Sequence, residues 1–337
     1  MKSGTRIVLV IFIILFLGEI VIWLLVNGQK EEVKEVKAGQ VALKEECQGL
    51  KEEVKEIKQK SIYSFPWVAE EIILCGEKVP LERDYVKERL KEALIIEANR
   101  NSSIELIFLR SGRWFSFIEG ELRKTGTSID LRYVPIVESD LNYEANSNKG
   151  ARGMWQLTKY IARKYGLRVD YYIDERYDPF KSTKAAIRHL NDLYSGSGNW
   201  SEALAGYNMG EDALKRAMKR EGATDFYETK GIPTETQKFV FRILAIKLIM
   251  ENPEKYGYPG TESINKIKYQ TWQVKEIELT IEKKQATIQE IVEKLKSRYP
   301  RLTYREFRTY NRHVLNDYLP KGRYDVYVYS EKQNGTS

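Results

Sequence analysis

The chain has 337 residues, 42% hydrophobic and 12% aromatic, enough for a substantial core spread over about two domains. Its 55 Lys+Arg against 48 Asp+Glu give a formal charge of +7; this mild excess suits an anionic surface such as a cell wall, and without a basic run interleaved with aromatics it gives no ground for a nucleic-acid partner. Cys47 and Cys75 lie far apart, as do His189 and His313, so neither a disulfide framework nor a metal site is expected, and no cofactor.

Ile7 to Val26 is an almost unbroken apolar run, about the length a bilayer-spanning helix requires. Lys2 and Arg6 precede it, which predicts a cytoplasmic N-terminus and an external remainder. Residues 1–28 are thus read as a membrane anchor, with a signal peptide cleaved near Val26-Asn27-Gly28 as the rival. Glu19 inside the run would cost about 3 kcal/mol if charged at the bilayer centre. Residues 29–60 carry a heptad, with Val33, Gln40, Cys47 and Val54 at a and Val36, Leu43, Leu50 and Ile57 at d. This predicts a coiled-coil stalk and a parallel homodimer with Cys47 facing Cys47; a single polar helix is the alternative. Gly39 and Gly49 weaken the helix by about 1 kcal/mol each.

Residues 61–128 begin as a connector broken by Pro66, Gly76 and Pro80. Asp84 then caps a helix carrying Val86, Leu90, Ala93 and Leu94. Two short helices follow, Ile104–Leu109 and Trp114–Arg123, separated by Arg110-Ser111-Gly112. From Ile129 to Met250 nearly every segment reads helical. Asp178-Pro179 looks like a helix start, and Pro233 opens another apolar helix. After residue 262 the character changes, with strand alternation at Ile277–Ile281 and Arg323–Tyr329 around helices at Thr287–Ser297 and Thr303–Asn311. Residues 332–337 read as a disordered tail. The fold class expected is mainly α with a small α+β module over residues 263–331.

The chemistry points to Val134–Gln156, VPIVESDLNYEANSNKGARGMWQ. Glu138 ends an apolar, helix-compatible run and precedes a turn-rich stretch. A carboxyl held against apolar neighbours keeps its proton to higher pH, which suits a general acid; for an isolated glutamate, a solvated helix end is the ordinary reading.

Several spaced motifs bear on that choice: Glu138-Ser139, Ser147, Gly150-Ala151, Gly153-Met154-Trp155-Gln156 and Gly206-Tyr207-Asn208. With LRVDYYIDERYDPFKSTKAAIRHLNDLY (167–194) and TDFYETKGIPTETQKFV (224–240), they resemble the lytic transglycosylases with a goose-lysozyme-like (SLT) domain, in particular the membrane-bound lytic murein transglycosylase D type. The resemblance runs from about Pro66 to Tyr256. It implies a lysozyme-like helical catalytic domain over 129–262 that acts on peptidoglycan glycan strands in the bacterial cell envelope, tethered to the inner membrane. The strand–helix–helix–strand tail resembles a LysM module, a type that binds N-acetylglucosamine polymers.

The resemblance implies that Glu138 works alone. It first protonates the glycosidic oxygen, then as a base draws the proton from the sugar's own 6-hydroxyl, which closes on C1 to give a 1,6-anhydro end. Ordinary glycosidases need a second carboxylate, about 5 Å away for retention or about 6.5–9.5 Å for inversion. Asp140, Glu144, Asp174, Glu175 and Asp178 are the acids weighed for that role. By motif position, Ser147, Gly153, Gln156, Tyr207 and Asn208 are the substrate contacts, while Trp155 reads as core. The chain departs from the family at Thr158-Lys159, Gly206, Met209 and Phe239, the last standing where a Tyr is usual. A hydrolytic muramidase and a weakly active wall-binding scaffold remain alternatives.

Overall fold

The computed structural model describes residues 20–21, 26–28, 30–63 and 67–330. The chain divides into two compact units between Phe65 and Pro66. Most of the expected anchor (1–28) and the expected tail (332–337) lie outside the described residues. Among the described residues no helix is long and apolar enough to cross a membrane.

In the first unit, α1 (Lys30–Tyr63) runs unbroken through Gly39 and Gly49. Val33 and Cys47 are buried and Val36, Gln40, Leu43 and Leu50 half-buried, which are the a and d positions of the heptad. Val33 packs against Val21, with Ile20 and Val36 beside them. The seam expected to face a second chain is thus covered, at Val33 and Cys47, within a single chain.

The second unit opens with the hairpin β1 (Ile73–Leu74) and β2 (Glu77–Lys78). Its turn residues Cys75 and Gly76 both have positive φ, as a two-residue hairpin turn demands. Helix α2 (Asp84–Ala98) buries Val86, Leu90, Ala93 and Leu94 at helical spacing. Helix α3 (Asn101–Lys124) corrects the expectation of two short helices. Ser111 stays helical, its Oγ donating to the Phe108 carbonyl at 2.8 Å. A Cβ at Gly112 would stand 2.3 Å from Lys268 Cβ. That glycine lets the 268–269 segment lie on the helix, where Tyr269 N–H donates to the Leu109 carbonyl at 2.9 Å; it is a packing glycine, not a breaker.

A 3-10 turn (Ile129–Tyr133) leads directly into α4 (Val134–Ser139), whose residues 134–137 are buried. Next comes α5 (Lys159–Lys164), where Thr158 serves as N-cap and accepts from Ile161 N–H. Asp178 caps α6 (Pro179–Ser197) with Pro179 at its first position, as the sequence predicts. Then follow α7 (Trp200–Met209), α8 (Glu211–Glu221) and α9 (Thr234–Glu251). Helix α9 is buried on nearly every face and packs against α2, α4 and α7; an apolar surface all round marks the central helix of a bundle. One core runs from Ile72 to Ile264, so residues 61–128 and 129–262 share it.

After α10 (Thr261–Ile267), strand β3 (Val274–Thr287), helices α11 (Ile288–Lys296) and α12 (Tyr304–Tyr310), and strand β4 (Tyr318–Tyr329) form the C-terminal module. β3 and β4 pair antiparallel from Val274↔Tyr329 to Thr287↔Tyr318. Thr287 with Glu290 and Thr303 with Glu306 close capping boxes on the two helices. The module joins the helical body through the Ile173↔Val314 bridge and Asp174 N–H donating to the His313 carbonyl at 2.9 Å. Tyr327 OH also donates to Asp178 Oδ2 at 3.0 Å.

Candidate active site

Glu138 lies in the last turn of α4. The helix ends at Asp140 in the left-handed conformation (φ 52°), and Leu141 (φ 59°) repeats it. Two successive non-glycine residues there cost about 1–3 kcal/mol each. The strain is held by Arg100, which donates to both Asp140 oxygens at 2.9 and 2.8 Å, and by Arg110, which donates to the Asp140 carbonyl at 2.9 Å. Ser139 Oγ donates to the Met154 carbonyl at 2.7 Å and ties the helix end to the returning loop.

The Glu138 residue is half-buried, and desolvation by the protein around its carboxyl pushes its pKa up to about 8. Arg242 on α9 opposes that rise and Glu235 on the same helix adds to it. Two neighbours of opposite charge leave desolvation as the dominant cause. Tyr207 on α7 feels the Glu138 charge as well, and burial raises its phenol well above the ordinary range. A carboxyl in this state is protonated near neutral pH and can give its proton to an oxygen placed against it.

The loop 142–157 builds the rest. Ser147 Oγ accepts from Lys149 N–H at 3.1 Å and from Ala151 N–H at 3.3 Å. With its lone pairs so used, its hydroxyl proton remains as a donor. Gln156 (φ 47°) donates from Nε2 to the Gly153 carbonyl at 2.7 Å. Gly153 (φ 75°) is buried, and a Cβ there would stand 1.8 Å from the Arg176 carbonyl oxygen. Its close approach is thus to the 3-10 turn Glu175–Tyr177. Tyr207 OH donates to the Trp155 carbonyl at 2.8 Å, and its ring lies 5.3 Å from His189. Trp155 is fully buried and donates to Thr183 Oγ1 at 2.9 Å. Asn208 Oδ1 accepts from Thr236 Oγ1 at 2.7 Å, next to Glu235 in the chain. The structure therefore brings Tyr207 to Glu138 and gathers Ser147, Gly153 and Gln156 into one loop. No hydrogen bond among the described residues links Ser147 or Asn208 to Glu138.

The acids weighed as a second carboxylate are engaged elsewhere. Asp140 holds Arg100, and Asp174 pairs with Arg176 at 2.7 Å. Glu175 pairs with Lys181 at 2.7 Å, and Glu144 with Arg312 at 3.1 Å. Asp178 caps α6 and accepts from Tyr327. The acid whose charge reaches Glu138 is Glu235, itself exposed and paired with Lys149 at 2.8 Å, which sequence reasoning did not single out. Nor did it find Arg242. Both sit some hundred positions downstream, and only the fold brings α9 against α4. Phe239 is buried in the core, so a tyrosine hydroxyl at that position would enter apolar surroundings.

Residues 115–230 match the family model described as the transglycosylase SLT domain. Two relatives, the membrane-bound lytic murein transglycosylases D of Escherichia coli strain K12 and of Escherichia coli O6:H1, are each 33% identical over 184 residues. The match covers 52% of this chain and 39% of each relative, so the chain spans about two fifths of their length. A solved structure of an inactive mutant of lytic transglycosylase Slt from Pseudomonas aeruginosa matches with 19% identity and a TM-score of 0.33, over 43% of this chain and 24% of that one.

Proposed function

We propose that this chain, which carries a transglycosylase SLT domain over residues 115–230, is a lytic transglycosylase that cleaves the MurNAc–GlcNAc β-1,4 bond of peptidoglycan and leaves 1,6-anhydro ends. The observation that supports this most is the Glu138 carboxyl, desolvated, without a hydrogen bond among the described residues, and with its pKa raised to about 8. In the proposed cycle Glu138 protonates the glycosidic oxygen and the C1–O bond breaks. The resulting carboxylate then takes the proton of the 6-hydroxyl as that oxygen bonds to C1. One group thus serves both steps and no water enters. The Ser147 hydroxyl, the Gln156 and Asn208 amides and Tyr207 are the proposed sugar contacts. Gly153 shapes the loop that presents them. The site is assigned to the bacterial cell envelope, where the chain's relatives act as membrane-bound murein enzymes by name. Anchoring by the N-terminal apolar run and glycan binding by the C-terminal module, as a LysM-like element, complete the reading.

Glu235 favours one second reading. An acid near Glu138 could activate a water, and the same bond would then be hydrolysed. Digestion of cell-wall sacculi in heavy-oxygen water separates the two. The lyase yields unlabelled anhydro muramic ends, lighter by one water and resistant to borohydride. Label at C1 would sink the transglycosylase reading in favour of hydrolysis.

A further inference from the structure

The charged and titratable groups facing Glu138 are Arg242 and Glu235 from α9 and Tyr207 from α7. The 3-10 turn before α4 carries Asp130 and Arg132, which pair with Lys247 at 2.8 Å and Glu119 at 2.6 Å instead. Arg242 is thus the cation that could neutralise Glu138, yet it is engaged elsewhere. Its Nε donates to Glu97 Oε1 at 2.6 Å. Glu97, on α2, is only 1% exposed, and its other oxygen accepts from Arg100 at 2.6 Å. Arg100 in turn grips Asp140, two residues beyond Glu138. A carboxylate buried between two guanidiniums is expensive to desolvate, and apolar packing would brace the three helices at lower cost. Glu97 also lies outside the matched residues 115–230.

We propose that Glu97 is a positioning residue for Glu138: it holds the Arg242 guanidinium off the Glu138 carboxyl and, through Arg100 and Asp140, fixes the end of the helix that carries it. The proposal rests on the reading of Glu138 as acid and base. An Arg242 released from Glu97 pairs with Glu138, which then loses its proton at the pH where it must donate one.

Glu97→Gln keeps the size and removes the charge. The alkaline limb of the kcat/KM profile reports the acid that must be protonated in the free enzyme. In Glu97→Gln that limb is expected to move down by about one pH unit or more, and in the double variant Glu97→Gln/Arg242→Gln to return to the wild-type position or above. A bracing residue would lower Tm and rate at every pH and leave the limb in place; that result, or a double variant that fails to restore it, overturns the proposal. Should Glu97→Gln not fold, Arg242→Gln decides. If Glu97 already holds the guanidinium, its removal raises the Glu138 midpoint by less than about half a pH unit, whereas a rise of about one unit or more means that Arg242 acts on Glu138 unhindered. Carboxyl-carbon NMR titration, with Glu138→Gln identifying the resonance, reads the same midpoint without substrate. A wild type that releases no anhydro product therefore refutes the proposed function, while an unmoved midpoint in Glu97→Gln refutes the role of Glu97.

Discussion

The C-terminal module and the Glu138 loop follow opposite rules. In the module each helix start is satisfied by its own sequence, Thr287 with Glu290 and Thr303 with Glu306. Buried Asn311 is fully used, donating to the Phe307 and Tyr327 carbonyls and accepting from Tyr327 N–H at 2.6 Å. In the loop, Asp140, Leu141 and Gln156 take left-handed conformations without being glycine. Glu138 is half-buried, its carboxyl desolvated and with no hydrogen bond among the described residues. Local preference and tertiary structure agree in the first region and conflict in the second. Such conflict costs stability and persists where the surroundings impose it. Here those surroundings are the Arg100 and Arg110 clamps on Asp140.

The sharpest break of this contrast is Glu138→Gln. The amide is nearly isosteric but can neither give nor take the proton, so turnover of sacculi is expected to fall by about 10²–10⁴-fold. Stability should change in the opposite sense. A carboxyl whose folded pKa, about 8, exceeds its unfolded one binds more protons folded than unfolded between the two. Its burial therefore costs increasingly more as pH rises from about 4.5 to about 8, at roughly 1.4 kcal/mol per unit. Glu138→Gln should thus exceed wild type in Tm at pH 8 and lose that advantage by about pH 4.5; parallel Tm curves would show that the carboxyl is not held unfavourably. Glu290 has the reverse sign. Lys283 and the Thr287 cap hold its pKa down to about 2, so what it adds is present above the ordinary carboxylate pKa and fades as pH falls toward about 2.

Gly153→Ala probes the loop where it has least room. The new Cβ would lie 1.8 Å from the Arg176 carbonyl oxygen, at a φ of 75° that alanine disfavours. Backbone must shift on one side or the other, and a loss of about 3 kcal/mol is expected, near that of a severe overpacking. Thermal unfolding measures it, and hydrogen exchange should show the loosening at residues 145–157. A drop of under about 1 kcal/mol would mean that the loop yields freely and that its strained conformations are not imposed.

The same division explains what could be read from the sequence. Helix α6 was legible from Asp178-Pro179, α9 from the apolar run after Pro233, and the module's helices as Thr287–Ser297 and Thr303–Asn311 between two stretches of strand alternation. Each signal lies within a few residues of what it specifies. The single helix α3 was not legible, because Ser111-Gly112 has the composition of a break; only Lys268, far along the chain, reveals why glycine stands there. The seam of α1 was visible as a heptad, but the heptad does not say whether a second chain or the same one covers it. At the site, Glu138 stood out by its apolar run and by resemblance. The groups that set its charge state did not: Glu97, Glu235 and Arg242 belong to α2 and α9, and no spacing rule links them to α4. Asp140, weighed as a second carboxylate, is instead the anchor point for Arg100.

The smallest effect tests whether the module is as separable as its local rules suggest. Thr303 Oγ1 accepts from Glu306 N–H at 3.1 Å, and Glu306 Oε2 accepts from Thr303 N–H at 2.9 Å. Thr303→Ala removes the first bond and loosens the second, which is worth about 1 kcal/mol for an N-cap of this kind. Across a unit of this size the Tm should fall by about 2–4 °C. Turnover should change little, because no hydrogen bond among the described residues joins Tyr304–Tyr310 to the Glu138 loop, and the helix meets that loop through the Tyr310 ring, which packs on Trp272 and through it on Tyr143. Faster amide exchange should be confined to Tyr304–Tyr310 and its cap. A parallel loss of activity would instead mean that the cap holds Arg312 against Glu144, and with it the loop that follows Glu138. The two regions would then be one mechanical element, and the contrast between them would describe composition alone.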